Sequence, residues 1–177
     1  MLFLKPKIIA LICPKYPPGV GGASSYYKCV NDGLKQTHAV VCLAPFGSIG
    51  KNVWAILMGK SQQFSRSRTL NIFRIIYNSM IILIFLIILR LRYKDIRVLC
   101  HSGFHSVNKI HNPIWLIADF IKIKIIFDIR DRFLENRILK NRMYVTCIPD
   151  LTSENIKYIP LPINFSRPGS CENNNSP

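Results

Sequence analysis

The chain has 177 residues, of which 49% are hydrophobic and 19% are charged, and its formal net charge at pH 7 is +15. A domain of this size buries roughly 70% of its unfolded surface, so the composition predicts one globular domain over residues 1–165 and excludes disorder outside a polar tail over residues 166–177. Asp32 is the only acidic residue before Asp95, whereas the same span contains 13 lysine and arginine residues. This positive field favours phosphate-rich partners, namely nucleic acid, anionic lipid or a sugar nucleotide.

The first predicted elements are a strand, a helix and a second strand. Lys7 to Cys13 is an apolar run, Ser24 to Lys35 has helical periodicity, and Thr37 to Leu43 is again apolar. Because the strands are continuously apolar rather than alternating, we expect both of their faces to be covered. This βαβ pattern predicts an α/β fold of the Rossmann-like type, with a parallel sheet and helices on both faces.

The glycine-rich turn before the first helix is the first candidate binding site. Gly21 and Gly22 let the backbone approach a ligand closely, and free amides at a helix start favour phosphate. With Ser24, they can hold a diphosphate or help to place an acceptor, although a plain tight turn explains the same pattern. Three tyrosines are expected to line the entrance of this candidate site: Tyr16, Tyr26 and Tyr27.

A loop-rich region and a long apolar helix follow. Residues 46–70 are predicted to be mostly loop, with only Val53 to Met58 ordered, and a helix is expected from Asn71 to Arg92. Its apolar stretch, Met80 to Leu89, is too short to span a bilayer, which needs about 20 apolar residues. Either a buried connecting helix or an interfacial helix with basic ends on lipid head groups explains it, and both can hold at once.

The second half of the chain continues the alternation of strands and helices. Asn112 and Pro113 form a good helix start. The predicted elements are a strand from Ile96 to Cys100, a helix from Asn112 to Phe120, a strand from Lys122 to Ile129, a helix from Arg132 to Arg142, and strands from Met143 to Ile148 and from Ile156 to Ile159.

Polar residues at two strand ends are the candidate catalytic groups. His101 follows a strand, where ligands bind in open α/β sheets; a histidine that caps the strand is the alternative. Asp128, Arg130 and Asp131 end an apolar strand, where charges are costly unless paired or used. Arg130 can hold a phosphate or sugar hydroxyls, and either aspartate can orient an acceptor hydroxyl. Internal salt bridges that shape the turn are the alternative.

Several other classes of site and partner are disfavoured. The three histidines His101, His105 and His111 match no helix face and have no nearby carboxylate, so no metal site is predicted. The six cysteines form no Cys-x-x-Cys pair and mostly lie in apolar runs, which predicts buried free thiols in a reducing cytosol. Although the chain has a high positive net charge, its sequence has no zinc-finger motif, no aromatic RNA-binding motif and no basic recognition helix. Nucleic-acid binding is therefore not expected.

Four short segments resemble family 4 glycosyltransferases, which are two-domain GT-B enzymes. The turn from Pro14 to Gly22 has the form Pro-x-Tyr-Pro-Pro-x-x-Gly-Gly and is similar to the opening of the family. Asp95 to Ser102 resembles its fourth strand, which ends in histidine, and Ile125 to Asp131 resembles its fifth. Tyr158 to Asn164 is similar to the segment that leads out of the N-terminal domain. The usual family pattern has histidine where Arg130 stands, and some subgroups have Asp-Ile-Arg-Asp instead.

The resemblance implies the acceptor-side half of a sugar transferase. The implied reaction moves a sugar from a nucleotide-sugar donor to a lipid-linked or polysaccharide acceptor, without a further cofactor, in surface polysaccharide biosynthesis. The basic N-terminal half and the long helix predict a cytoplasmic protein in peripheral contact with an anionic membrane, at its inner face.

Family members carry a second Rossmann domain with a donor motif, and we expect this chain to need that half from elsewhere, because both walls of the cleft hold the transferred group. The donor half would come from a separate polypeptide, or the chain is an inactive fragment. A non-catalytic membrane-surface or partner-binding module is the alternative function.

Overall fold

The computed structural model describes residues 7–19, 22–59, 66–101, 104, 112–129, 143–146 and 156–158. They form a seven-stranded sheet in the order β3-β2-β1-β4-β5-β6-β7, in which every neighbouring pair is parallel. The strands are β1 Lys7–Ile12, β2 Val40–Pro45, β3 Val53–Leu57, β4 Asp95–His101, β5 Lys124–Ile129, β6 Met143–Thr146 and β7 Ile156–Tyr158. The helices are α1 Gly22–Lys35, α2 Arg68–Arg92 and α3 Asn112–Phe120. The predicted Rossmann-like α/β fold is confirmed.

Helices cover both faces of the sheet. Successive residues of a strand point to opposite faces, and Ala10 and Ile12 of β1 pack in a large apolar cluster with side chains of α2 and α3. Their neighbours Leu11 and Cys13 pack in a smaller cluster with Tyr27 of α1. We call the side of the sheet that α1 covers the α1 face, and the side that α2 and α3 cover the α2 face.

Two predicted strands begin later than expected, because local turns intervene. β2 begins at Val40 rather than Thr37, since the amide of Thr37 donates to the Leu34 carbonyl at 3.2 Å and closes the end of α1. β5 begins at Lys124 rather than Lys122, whose φ of 59° is left-handed and interrupts an extended chain.

The segment between β2 and the long helix contains a strand where the sequence predicted order, because β3 lies within Val53 to Met58. β3 is an edge strand that pairs with β2, and the register of this pairing shifts between Ala44 and Pro45. Helix α2 begins at Arg68 rather than Asn71, because Ser67 caps it by accepting a hydrogen bond from the Leu70 amide at 3.4 Å.

Helix α2 crosses from the edge of the sheet to its centre and is bonded to β3 on the way. The side chain of Asn78 accepts from the Met58 amide at 2.8 Å and donates to the Met58 carbonyl at 3.0 Å. Tyr77 donates to the Ile56 carbonyl at 3.2 Å. These polar bonds fix which side of α2 faces the sheet.

Two predicted segments lie outside the described residues, namely the helix from Arg132 to Arg142 and the tail over residues 166–177.

Candidate functional site

The sheet has a switch point between β1 and β4. The chain runs outward from β1 to β2 and β3, and α2 then returns it to β4 on the other side of β1. In open α/β sheets, ligands bind in the crevice at the carboxyl ends of the strands beside such a point. The candidate site is therefore the edge formed by the carboxyl ends of β1, β4 and β5, which we call the rim.

Two of the predicted catalytic residues are neighbours on the rim. His101 ends β4 and is the register partner of Asp128 in β5. His101 is partly exposed, whereas Asp128 is only 1% exposed. His101 is therefore accessible from solvent, whereas Asp128 lies beneath the surface.

Helix α1 holds Asp128 through a tyrosine. The Tyr27 hydroxyl donates to Asp128 Oδ2 at 3.0 Å, and the Tyr27 ring lies 6.2 Å from the His101 ring, measured between centroids. Tyr27 has no exposed surface and Tyr16 is 4% exposed. The expectation that these two tyrosines line an open entrance to the candidate site is wrong, because each side chain packs inward and bonds a buried polar partner.

The first turn of α1 combines an open backbone with a buried hydroxyl. Gly22 is exposed, and a Cβ built there would meet no atom within 4 Å. Ser24 is 1% exposed, and among the described residues its Oγ has no hydrogen-bond partner. A buried polar group left unpaired costs about 1–3 kcal/mol. In this turn, a buried hydroxyl with no hydrogen-bond partner among the described residues therefore lies beside backbone amides that favour anions.

A buried polar network fixes α1 against the sheet. Asn31, which has no exposed surface, donates to the Tyr16 hydroxyl in the turn after β1. Asn52 donates to Asn31 Oδ1 at 3.0 Å and to the Val40 carbonyl at 2.8 Å. Burial raises the pKa of Tyr16, although the bond from Asn31 opposes the shift. The network joins α1 to the ends of three chain segments and so sets the position of its first turn.

Three of the described cysteines are buried free thiols, as the cysteine pattern predicted. Cys13, Cys42 and Cys100 are buried and free, and the sulfurs of Cys13 and Cys42 are 3.4 Å apart. Burial raises the pKa of Cys13 and of Cys100, and the nearby Asp128 charge raises both further. The raised pKa keeps Cys13 and Cys100 neutral at physiological pH, and both side chains pack in the apolar core. Cys29 is exposed.

Three predicted site residues lie outside the described residues: Gly21, Arg130 and Asp131. In the part of the chain that the structure describes, no group of three or more histidine, cysteine or acidic side chains is placed to hold a metal ion.

A surface depression of about 120 Å³ lies at the opposite edge of the sheet, beside the amino ends of β1 and β4. It is lined by Lys7, His38, Asp95 and Arg97 together with strand residues. The rim is the better candidate despite this depression, because switch-point crevices form at carboxyl ends.

The sequence placed His101 and Asp128 at the ends of strands, but it gave no sign that Tyr27 holds Asp128. Tyr27 and Asp128 are 101 positions apart, and no local pattern pairs them. Comparison with protein-family models, curated proteins and solved structures finds no match for this chain.

Proposed function

We propose that this chain is the acceptor-side half of a sugar-transferring enzyme of the GT-B kind. The observation that supports this most directly is the rim, where a partly exposed histidine, a buried aspartate and the first turn of a helix lie at a switch point. Such a crevice suits a phosphate-bearing ligand on the helix side and a hydroxyl-bearing ligand on the strand side.

In the proposed reaction, the acceptor hydroxyl attacks the anomeric carbon of a nucleotide sugar. A bond forms between that oxygen and the anomeric carbon, the bond from the carbon to the diphosphate oxygen breaks, and the nucleotide diphosphate leaves with the electron pair. In this proposal His101 takes the hydroxyl proton; its support is that His101 is a partly exposed base on the described rim. The hydrogen bond from Tyr27 to Asp128 holds α1 against the end of β5 beside His101.

The remaining residues of the proposal follow the family resemblance. Gly21, Gly22 and Ser24 bind phosphate at the start of α1, and Arg130 and Asp131 contact the sugar or the acceptor. The partners are a nucleotide-sugar donor, a lipid-linked or glycan acceptor, and a donor-binding half. We place the reaction in surface polysaccharide biosynthesis, on the cytoplasmic side of a membrane.

Transfer assays with and without a second protein test this proposal. The purified chain is incubated with a panel of nucleotide sugars and polyprenyl phosphate acceptors, alone and with an extract of the source cells. We expect product when the extract is present, because it can supply a donor-binding half. His101→Ala should lower the rate by about 10²–10⁴-fold, since a positioned acid–base group contributes that much. His38→Ala, in the turn after α1, is the matched control and should leave the rate unchanged.

Absence of product under every condition, with a folded chain, would contradict sugar transfer. It would favour the second candidate function, a membrane-surface or partner-binding module without sugar chemistry. The observation on the side of that candidate is α2, which has exposed apolar residues. The expectation that its apolar stretch is too short to span a bilayer is wrong by length and composition, because the whole helix Arg68–Arg92 is long and apolar enough to cross a membrane.

A further inference from the structure

An exposed apolar stripe runs along the outer side of α2. Its residues recur every three or four positions, which places them on one side of a helix. They are between 42% and 70% exposed: Phe73, Ile76, Met80, Ile84, Ile87 and Leu91. At 1.5 Å per residue the stripe is about 27 Å long. We call it the α2 stripe.

The neighbouring helix α3 extends this apolar surface. α3 packs beside α2 over the same face of the sheet. Leu116 is 65% exposed and Phe120 is 86% exposed. Many exposed large apolar side chains on two neighbouring helices are typical of an interaction site rather than of ordinary protein exterior.

The charges around the α2 stripe have one dominant sign. Helix α2 contains no acidic residue. Exposed or partly exposed basic residues lie at both of its ends, namely Arg66, Arg68, Arg90, Arg92 and Lys94. Among the described residues of these two helices and the start of β4, the acidic ones are Asp95 and Asp119, so the described basic residues outnumber them.

We propose that the α2 stripe and the outer side of α3 dock on an anionic lipid bilayer, with α2 parallel to the membrane plane. The apolar residues enter the boundary between head groups and acyl chains, and the basic ends contact lipid phosphates. A second copy of the chain fits less well. In either relative direction of two α2 helices, a basic end meets a basic end and repels it.

The contacts of α2 exclude a spanning arrangement for the folded chain. Ile82, Phe85 and Leu86 of this helix are at most 1% exposed and belong to the core of the α2 face. Asn78 bonds both backbone groups of Met58. A helix drawn across the bilayer would lose these contacts, so only its outer side is available to lipid. This inference holds under either candidate function, because it uses no residue of the rim.

Vesicle flotation of the full chain tests the proposal. We expect binding to vesicles of phosphatidylcholine mixed with phosphatidylglycerol and little binding to phosphatidylcholine alone. Added salt should weaken the binding, because it screens exposed charges. Alkaline carbonate should release the bound chain. Equal binding to neutral vesicles, or retention after carbonate, would overturn the proposal.

Matched variants separate the α2 stripe from the rest of the surface. The triple variant Ile76→Gln/Met80→Gln/Ile84→Gln should bind at least about tenfold more weakly, since it loses apolar area on insertion. Met143→Gln is the control, because Met143 is 55% exposed and adjoins Tyr144, which packs in the α2-face core, so it points to the α1 face. If the triple variant melts at a lower temperature than the unchanged chain, the single variant Ile84→Gln is tested instead, and it should also bind the vesicles more weakly.

Charge variants test the lipid sign in the same way. Arg90→Gln/Arg92→Gln should weaken binding by about fivefold for each charge removed. Lys28→Gln/Lys35→Gln, on exposed positions of α1, removes the same charge from the opposite face and should have a smaller effect. Equal losses for both pairs would overturn the assignment to this face. A concentration-dependent dimer that the triple variant dissociates would assign the stripe to a second copy instead.

Discussion

The two faces of the sheet are built from different chemistry. The α2 face is a large apolar cluster that includes two edge-to-face aromatic pairs, Trp54 with Phe85 and Trp115 with Phe127. The α1 face has a smaller cluster and contains buried hydrogen bonds between side chains, such as that from Tyr27 to Asp128. Burial of apolar area is non-directional, whereas hydrogen bonds fix geometry. The α2 face therefore supplies most of the stability, and the α1 face positions the rim.

The largest effect should come from the α2 face. Phe85 is 1% exposed and its ring centroid lies 5.3 Å from that of Trp54. Phe85→Ala should lower the free energy of unfolding by about 3–5 kcal/mol, because it removes buried area and leaves a cavity. Urea denaturation measures the change. Phe73→Ala, on an exposed position of the same helix, should stay within about 0.5 kcal/mol, and similar losses for both variants would contradict the view that burial in the core of the α2 face supplies this stability.

A smaller effect is expected from the polar bond on the α1 face. Tyr27→Phe keeps the ring and removes the donor to Asp128, which should lower the free energy of unfolding by about 1–3 kcal/mol. A double-mutant cycle with Asp128→Asn measures the coupling, and we expect about 0.5–3 kcal/mol. Additive losses in the cycle would mean that the two side chains do not stabilise each other.

Alkaline pH tests both faces at once, because Cys13 packs on the α1 face and Cys100 on the α2 face. Burial raises the pKa of both thiols in the folded chain. Below the ordinary thiol pKa of about 8.5, folded and unfolded chains both keep the protons.

Above that pH the unfolded chain loses protons that the folded chain retains, so stability falls as pH rises toward the raised folded values. Each thiol contributes a slope of about 1.4 kcal/mol per pH unit. Thermal melts between neutral and alkaline pH should show the loss, and Cys100→Ala should reduce its slope. An unchanged slope in that variant would remove Cys100 from the explanation.

The smallest effect has the opposite sign. Ser24→Ala removes a buried hydroxyl that has no partner among the described residues, so the ligand-free chain should gain about 1 kcal/mol. If the first turn of α1 binds phosphate, the same variant should bind pyrophosphate more weakly in a calorimetric titration. A stability loss on substitution would show that the hydroxyl is already satisfied.

The fold was predictable because the apolar runs of the strands are continuous and the helices between them have clear periodicity. Local hydrogen bonds decided the bounds that the sequence missed, such as the Ser67 cap of α2 and the turn at Lys122. The strand-end positions of His101 and Asp128 followed from the pattern, since parallel strands share a carboxyl edge. The bond from Tyr27 depends on how α1 packs across the sheet, which no local pattern encodes.

The bonds from α2 to β3 also bear on how the protein avoids self-association through its sheet. β3 is an edge strand, and its Leu57 carbonyl accepts from Phe46, next to β2, so the Ile56 carbonyl points away from the sheet. Tyr77 occupies that carbonyl, and Asn78 occupies both backbone groups of Met58. Open edges are templates for aggregation by strand addition. Side chains of a crossing helix thus take the bonds that an incoming strand would need at this end of β3.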